Sequence, residues 1–328
     1  MTWLITGGAG FIGAHVVRAM AGAGERVVVY DDLSTGDVSR VPDDVPFVKA
    51  STLDRGSLRT ALDEHRVTGV VHLAAKKQVA ESVARPLHYY EENVHGLQNL
   101  LGAAVDHGVR DFLFSSSAAV YGMPDVTLVT EDTPCAPINP YGETKLAGEW
   151  MVRAAGHAHG MATASLRYFN VAGAADVQLA DTGVFNLIPM VFEKLTEGEA
   201  PVIFGDDYAT EDGTCVRDFI HVVDIASAHL AAARTLATRA PGTDLTVNIG
   251  RGEGVSVRQM IDLIGDVTGY GPAATPTTAP RRPGDPARVV ASADRIRTEL
   301  DWSARHDVRS MVESAWEGWC GRHPGARR

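Results

Sequence analysis

The 328-residue chain has only three cysteines, Cys135, Cys215 and Cys320. They stand far apart, with no Cys-x-x-Cys clip and no histidines at ligand spacing, which excludes a disulfide scaffold and argues against a metal site. Reduced thiols in a cytoplasm and no metal are expected. Long hydrophobic runs are also lacking: stretches such as GVVHLAA (69–75) fall well short of the ~20 apolar residues of a membrane helix. The first residues, MTWLITGG, enter an apolar strand without a basic region or cleavage site, so secretion is not expected. Positive charge is in deficit. With 30 Lys and Arg against 41 Asp and Glu, and a net charge of −11, the chain has no broad attraction for nucleic acid or an anionic membrane. Any anionic ligand must be held by local groups. The hydrophobic share of 45 % and charged share of 22 % exclude disorder, and the length suits two domains or one large sheet with a smaller lobe.

Short β-branched runs alternate with helical patterns through the first half: TWLIT, a helix over 10–22, RVVVYDD, a helix around 56–65, GVVHLAA, a helix from about 91 to 107, and DFLFSSS. Such alternation predicts parallel strands joined by helical crossovers, a doubly wound α/β fold. ATASLRYFN and LTVNIG (245–250) read as later strands. GVFNLIPMVFEKL, the loop GDDYATEDGTCVRD and the Pro-rich GPAATPTTAPRRPGDP read as pieces of a smaller α/β substrate lobe, the last an ordered connection because helical patterns follow it. The expected division is a dinucleotide-binding domain over 1–170, with 217–250 returning to it, and a substrate lobe over 171–216 and 251–328.

ITGGAGFIGAHVV places Gly7, Gly10 and Gly13, with Phe11 and Ile12 between them, where the first strand turns into the first helix. Glycines there let backbone N–H groups and the positive helix end approach a pyrophosphate. Among 33 glycines this spacing alone is often an ordinary turn. The second strand supplies context: it ends in Asp31 and Asp32, and Asp31 lies eighteen residues past Gly13. A carboxylate there accepts ribose hydroxyls and repels a 2′-phosphate, which favours NAD over NADP. This half reads as a Rossmann domain.

Ligands of open α/β sheets sit beyond the carboxyl ends of the strands. There FLFSSS ends in Ser117, and NPYGETK (139–145) opens the next helix with Tyr141 and Lys145, four apart and so on one face. A Tyr-x-x-x-Lys pair taken alone is more often a core tyrosine beside a solvated lysine. Behind a Rossmann signature it reads as a general base, its phenol brought below ~10 by the ammonium and a positive nicotinamide ring. Ser117 then holds the substrate hydroxyl and Lys145 reaches the nicotinamide ribose.

With SSSAAVYG, NPYGETK, LRYFNVAGA, IFGDDYATEDGTCVRDFIHVVDIA and APRRPGDP added to ITGGAGFIG, nearly the whole chain resembles the extended short-chain dehydrogenase/reductases, in their sugar-nucleotide 4-epimerase branch. The resemblance implies NAD-dependent interconversion of UDP-galactose and UDP-glucose through a 4-keto sugar, with Ser117, Tyr141 and Lys145 as the catalytic set. It implies Lys77, Asn93, Ser51 and Tyr168 as further cofactor contacts. Asn170, Asn186 and the backbone around Leu187 and Phe204 would hold sugar and uracil, and Arg217, Arg282 and Asp285 the diphosphate and uridine ribose. The helices near 91–107 and 141–157 would pair in a homodimer.

Three positions depart from that branch. VKASTLD offers Ser51 where an acid is usual, Phe219 replaces a tyrosine, and Val289 stands where a bulkier tyrosine excludes N-acetyl groups. Val289 therefore predicts that UDP-GlcNAc and UDP-GalNAc are also interconverted. Ala118 and Ala119 follow Ser117 where sugar-nucleotide dehydratases carry acids, which argues against dehydration. The alternatives are a UDP-glucuronate 4-epimerase, another NAD-dependent sugar-nucleotide oxidoreductase with net redox, and a non-catalytic NAD-sensing protein.

Overall fold

Strand β1 (Thr2–Thr6) is buried along its whole length, as a parallel strand covered on both faces must be. Trp3 and Ile5 point into one core and Leu4 into the other, so a single strand feeds two layers. A computed structural model describes residues 1–282 and 284–327. Pro283, within the Pro-rich stretch, and Arg328 lie outside the described residues.

From β1 the chain continues through α1 (Phe11–Gly22), β2 (Arg26–Asp31), β3 (Phe47–Lys49), α2 (Arg55–Glu64), β4 (Gly69–His72), α3 (Val79–Ala84) and α4 (Pro86–Tyr89). The helix expected from about 91 opens instead as a π-helical stretch, Tyr90–His95, before α5 (Gly96–His107). Then come β5 (Asp111–Ser117), α6 (Pro140–His159), β6 (Ala162–Tyr168), β7 (Asn170–Ala172), α7 (Leu187–Thr196), β8 (Val202–Phe204), β9 (Val216–His221), α8 (Val222–Leu236) and β10 (Asp244–Ile249). The chain ends with β11 (Gly254–Ser256), α9 (Val257–Thr268), β12 (Thr277–Ala279), β13 (Arg288–Val289), α10 (Asp294–Leu300) and α11 (Val308–Arg322).

Seven strands form a parallel sheet in the order β3–β2–β1–β4–β5–β6–β10. Thr6 at the end of β1 is in register with Tyr30 on one side and His72 on the other. Chain direction across the sheet reverses between β1 and β4, and the crevice outside that switch point is where ligands of such folds bind. One face is covered by α1, α8 and α10, through Val16, Val17, Met20, Ile225, Ile296 and Leu300. The other is covered by α2, α5 and α6, through Leu58, Leu62, Leu97, Leu100 and Val152.

A third core gathers α7, α9 and α11 around Phe192, Ile261, Ile264, Met311 and Trp316. Beside it β9 pairs with β7, β11 and β13. The return to the main sheet therefore begins with α8 and β10, since among the described residues β9 pairs only within the small sheet. Conversely, Ile296, Leu300 and Trp302, placed by the sequence in the lobe, pack into the core of the large sheet. The Pro-rich connection carries β12, which pairs with β8. Among the described residues no helix is long and apolar enough to cross a membrane.

Candidate active site

Gly10 caps α1 with no side chain of its own. A Cβ on Gly13 would lie 2.0 Å from the Gly7 carbonyl oxygen, so only glycine lets the helix press onto the turn. Gly7, Gly10, Phe11, Ile12 and Gly13 form one wall of a cavity of about 460 Å³. Asp31, Asp32, Ser51, Lys77, Tyr168 and Lys145 contribute to its other walls.

Asp31 ties this wall together: its Oδ2 accepts the Ala9 N–H at 3.0 Å and its Oδ1 the Leu33 N–H at 2.8 Å. Burial pushes its carboxyl above the usual range while these two donors oppose the rise. Each oxygen keeps a further lone pair for a ligand hydroxyl. Asp32 is exposed and caps the Ser34 N–H at 2.8 Å, and the Ser51 carbonyl accepts from the Tyr30 hydroxyl at 2.9 Å. Asn93 is placed differently from its expected part as a cofactor contact. It is buried behind the wall, receiving the Lys76 N–H at 2.8 Å and donating to the Lys76 carbonyl and Thr144 hydroxyl, both at 3.0 Å. Its amide holds the 76–77 segment against α6, with both N–H groups used and one lone pair of its oxygen left.

Asn139 and Pro140 set the start of α6. The Asn139 side chain accepts the Gly142 N–H at 2.9 Å, and Pro140 at the first helical position gives up no needed donor. Gly142 lets this helix end approach β5, because a Cβ there would meet the Ala119 carbonyl oxygen at 2.6 Å. The Ser117 hydroxyl is thereby placed where, against the effect of burial, it draws the Tyr141 phenol down in pKa. Ser117 Oγ also accepts the Ala119 N–H at 3.2 Å.

One turn on, Lys145 is 4 % exposed. Its Nζ donates to the Ser115 carbonyl at 2.8 Å and lies 6.0 Å from the Tyr141 ring centre. Burial lowers its pKa to about 7, against the attraction of Glu149. Burial raises the Tyr141 phenol above the ordinary value, opposed by Ser117; the nicotinamide ring, the second group expected to lower it, would act only with NAD bound. The protein groups alone therefore do not make it a ready base.

Behind this pair is a polar network that the motif reading missed. Glu149 Oε1 accepts from Arg167 Nε at 2.8 Å and from the Ser116 hydroxyl at 2.5 Å, while Oε2 accepts from Arg167 Nη2 at 2.7 Å. Arg167 Nη1 donates to the Tyr121 hydroxyl at 2.8 Å, which in turn donates to Asn248 at 2.6 Å. A bidentate buried pair of this kind fixes β5, β6 and α6 in register. Glu149 was legible as the residue four after Lys145; the partner of Arg167 was not. Tyr168 is anchored the same way, its hydroxyl 2.6 Å from His229 Nε2.

A second cavity, about 480 Å³, opens on the other side of Tyr141. Phe11, Ile12, Lys77, Tyr141, Tyr168 and Asp181 line both. Ser117, Asn170, Asn186, Leu187, Arg217 and Val289 line the second, Asn186 standing just before α7 without a side-chain cap bond. Arg217 is paired with Asp285 and also donates to the Val216 carbonyl at 2.8 Å. Phe204 and Arg282 are brought together, the guanidinium 3.7 Å above the ring centre, but neither lines the cavity.

Residues 3–250 match the model of the NAD dependent epimerase/dehydratase family. The chain is 45 % identical over 321 residues to a UDP-glucose 4-epimerase of Azospirillum brasilense, which covers 96 % of this chain and 91 % of that one. It is similar to the crystal structure of the UDP-glucose-4-epimerase from Stenotrophomonas maltophila with bound NAD and formylated UDP-arabinopyranose, at TM-score 0.94 and 37 % identity over 99 % of both chains. It is also similar to the structure of the UDP-Glc/GlcNAc 4-epimerase from Campylobacter jejuni, at TM-score 0.85 and 37 % identity over 97 % of this chain and 99 % of that one. The glycine-rich turn, the parallel sheet and these matches lead to one conclusion: the chain belongs to the NAD dependent epimerase/dehydratase family.

Proposed function

We propose that this protein interconverts UDP-galactose and UDP-glucose by transient oxidation at C4. The observation that carries the reading is Tyr141, which lies at the junction of the glycine-rich cavity and the second cavity, beside Ser117 and one helical turn from Lys145. Gly7, Gly10, Gly13, Asp31, Lys77 and Lys145 would hold the dinucleotide. Bound NAD supplies the hydride acceptor and donor at C4 and, with its positive ring, charge that favours the phenolate.

Tyr141 accepts the proton of the sugar 4-hydroxyl and returns it, and Ser117 holds that hydroxyl in line. Lys145 holds the nicotinamide ribose and, when protonated, steadies the phenolate. Arg217 takes the diphosphate, with Arg282 and Phe204 closing over the uridine end. The second cavity offers the hexose few charged groups, so the sugar would be free to turn over while the UDP stays gripped. Val289 leaves room for a 2-acetamido group, consistent with the dual substrate named for the Campylobacter jejuni protein.

The sheet with its α8, β10 and α10 returns forms the cofactor unit, and the core around α7, α9 and α11 the substrate lobe. A homodimer forms through the face where Leu87 is 82 % and Trp150 55 % exposed. The location is cytoplasmic. The test is proton NMR of UDP-galactose with purified protein and no added cofactor. UDP-glucose should appear without accumulating NADH, and Tyr141→Phe should lower turnover roughly 10²–10⁴-fold with NAD content unchanged. Net NADH release, or full activity in Tyr141→Phe, would refute the mechanism.

A further inference from the structure

Arg40 sits on a single 3₁₀ turn, Val38–Arg40, in the connection between β2 and β3. It is 4 % exposed, and among the described residues no carboxylate forms an ion pair with it. Its Nη2 donates to the Ala180 carbonyl at 2.9 Å. Burying a guanidinium without a direct ion-pair partner is costly, and an anion arriving beside it would relieve that cost.

Its neighbours add to the imbalance. Arg18 reaches the Arg40 carbonyl at 3.4 Å, and Arg322 donates to the Ala180 carbonyl at 3.4 Å and the Asp181 carbonyl at 2.6 Å. Asp37, Asp176 and Asp181 bring negative charge to this corner, but among the described residues none of them forms an ion pair with Arg40.

The backbone decides which anion is met. The Asp37 N–H donates to the Ala9 carbonyl at 3.0 Å, which brings the 37–40 turn back from Asp31 toward the glycine-rich loop. Arg40 accordingly interacts with His15, whose ring is bonded to the Phe11 carbonyl in the first turns of α1 at 2.8 Å. It also lines the cavity that Gly7, Gly10 and Gly13 shape. We propose that Arg40 is a diphosphate-binding residue for NAD, adding a guanidinium to the helix end and backbone donors of the glycine-rich turn. This rests on the reading that the glycine-rich cavity holds the dinucleotide. Because the same guanidinium holds Ala180, and Asp181 lines both cavities, the diphosphate also steadies the wall shared with the substrate.

The test uses the full-length protein freed of NAD, with Arg40→Met, Arg40→Lys and wild type titrated calorimetrically with NAD, ADP-ribose, NADP and adenosine. Arg40→Met should lose NAD and ADP-ribose affinity alike, roughly ten- to a hundredfold, as a hydrogen bond to a charged group supplies, while adenosine binding is unchanged. Arg40→Lys, which keeps the charge without the fork, should fall between. Unchanged NAD affinity in Arg40→Met overturns the proposal. So does a parallel loss for adenosine, which would make Arg40 only a strap on Ala180, or a loss confined to NADP, which would place it at a 2′-phosphate. A wild type that binds no NAD would overturn the reading of the cavity together with Arg40's part in it.

Discussion

Replacing Lys145 by methionine should abolish catalysis and yet remove a cost to folding. In the protein freed of NAD, burial lowers the ammonium from 10.5 to about 7. At 1.36 kcal/mol per pH unit, a shift of that size is worth roughly 5 kcal/mol between the two protonation states. The folded state releases this proton near pH 7, while the unfolded chain keeps it to about 10.5. Unfolding therefore takes up a proton between those values. Stability contributed by this group is complete above the unfolded value, falls as pH drops toward 7, and is flat below. Between pH 7 and pH 9 the lysine-bearing protein should gain about 2 kcal/mol relative to Lys145→Met. Methionine keeps the length of the side chain but leaves the Ser115 carbonyl without its 2.8 Å donor, a loss of about 1–3 kcal/mol that does not vary with pH. The assay is urea unfolding followed by tryptophan fluorescence at pH 7, 8 and 9. Both proteins should carry Tyr141→Phe, so that the phenol does not titrate. A difference between them that stays constant across this range would refute the claim that Lys145 is held against desolvation.

Gly13→Ala would put a Cβ 2.0 Å from the Gly7 carbonyl. It should cost about 3 kcal/mol and empty the protein of NAD, checked by melting temperature and by the nucleotide released on acid denaturation. Val289→Tyr should lower UDP-GlcNAc turnover roughly tenfold or more and leave UDP-galactose turnover nearly intact, read by NMR with each substrate. Leu87→Glu, on a side chain that is 82 % exposed, should turn the proposed dimer into a monomer in sedimentation, whereas a wild type that sediments as a monomer would refute the dimer.

Sequence determined the elements whose chemistry is local. The run TWLIT had to be a buried parallel strand, Asn139-Pro140 had to start a helix, and a four-residue interval had to put Tyr141 and Lys145 on one face. The glycine spacing and the acid ending β2 marked the nucleotide side for the same reason, because turn geometry and strand ends are written in adjacent residues. Where residues meet across the fold, only the tertiary structure decided. Asn93 became a clamp behind the wall because its amide is surrounded by Lys76 and Thr144. Glu149 and Arg167 became a buried pair because β6 runs beside β5 under α6. Spacing puts Tyr141 beside Lys145, but burial, which no spacing reveals, raises the phenol and lowers the lysine in the protein without NAD. Arg40 had no signal in an irregular loop, and gained one only when the backbone bond from Asp37 to Ala9 carried it to the glycine-rich turn. Periodicity and spacing constrain neighbours along the chain; desolvation and long-range pairing depend on which surfaces the fold brings together.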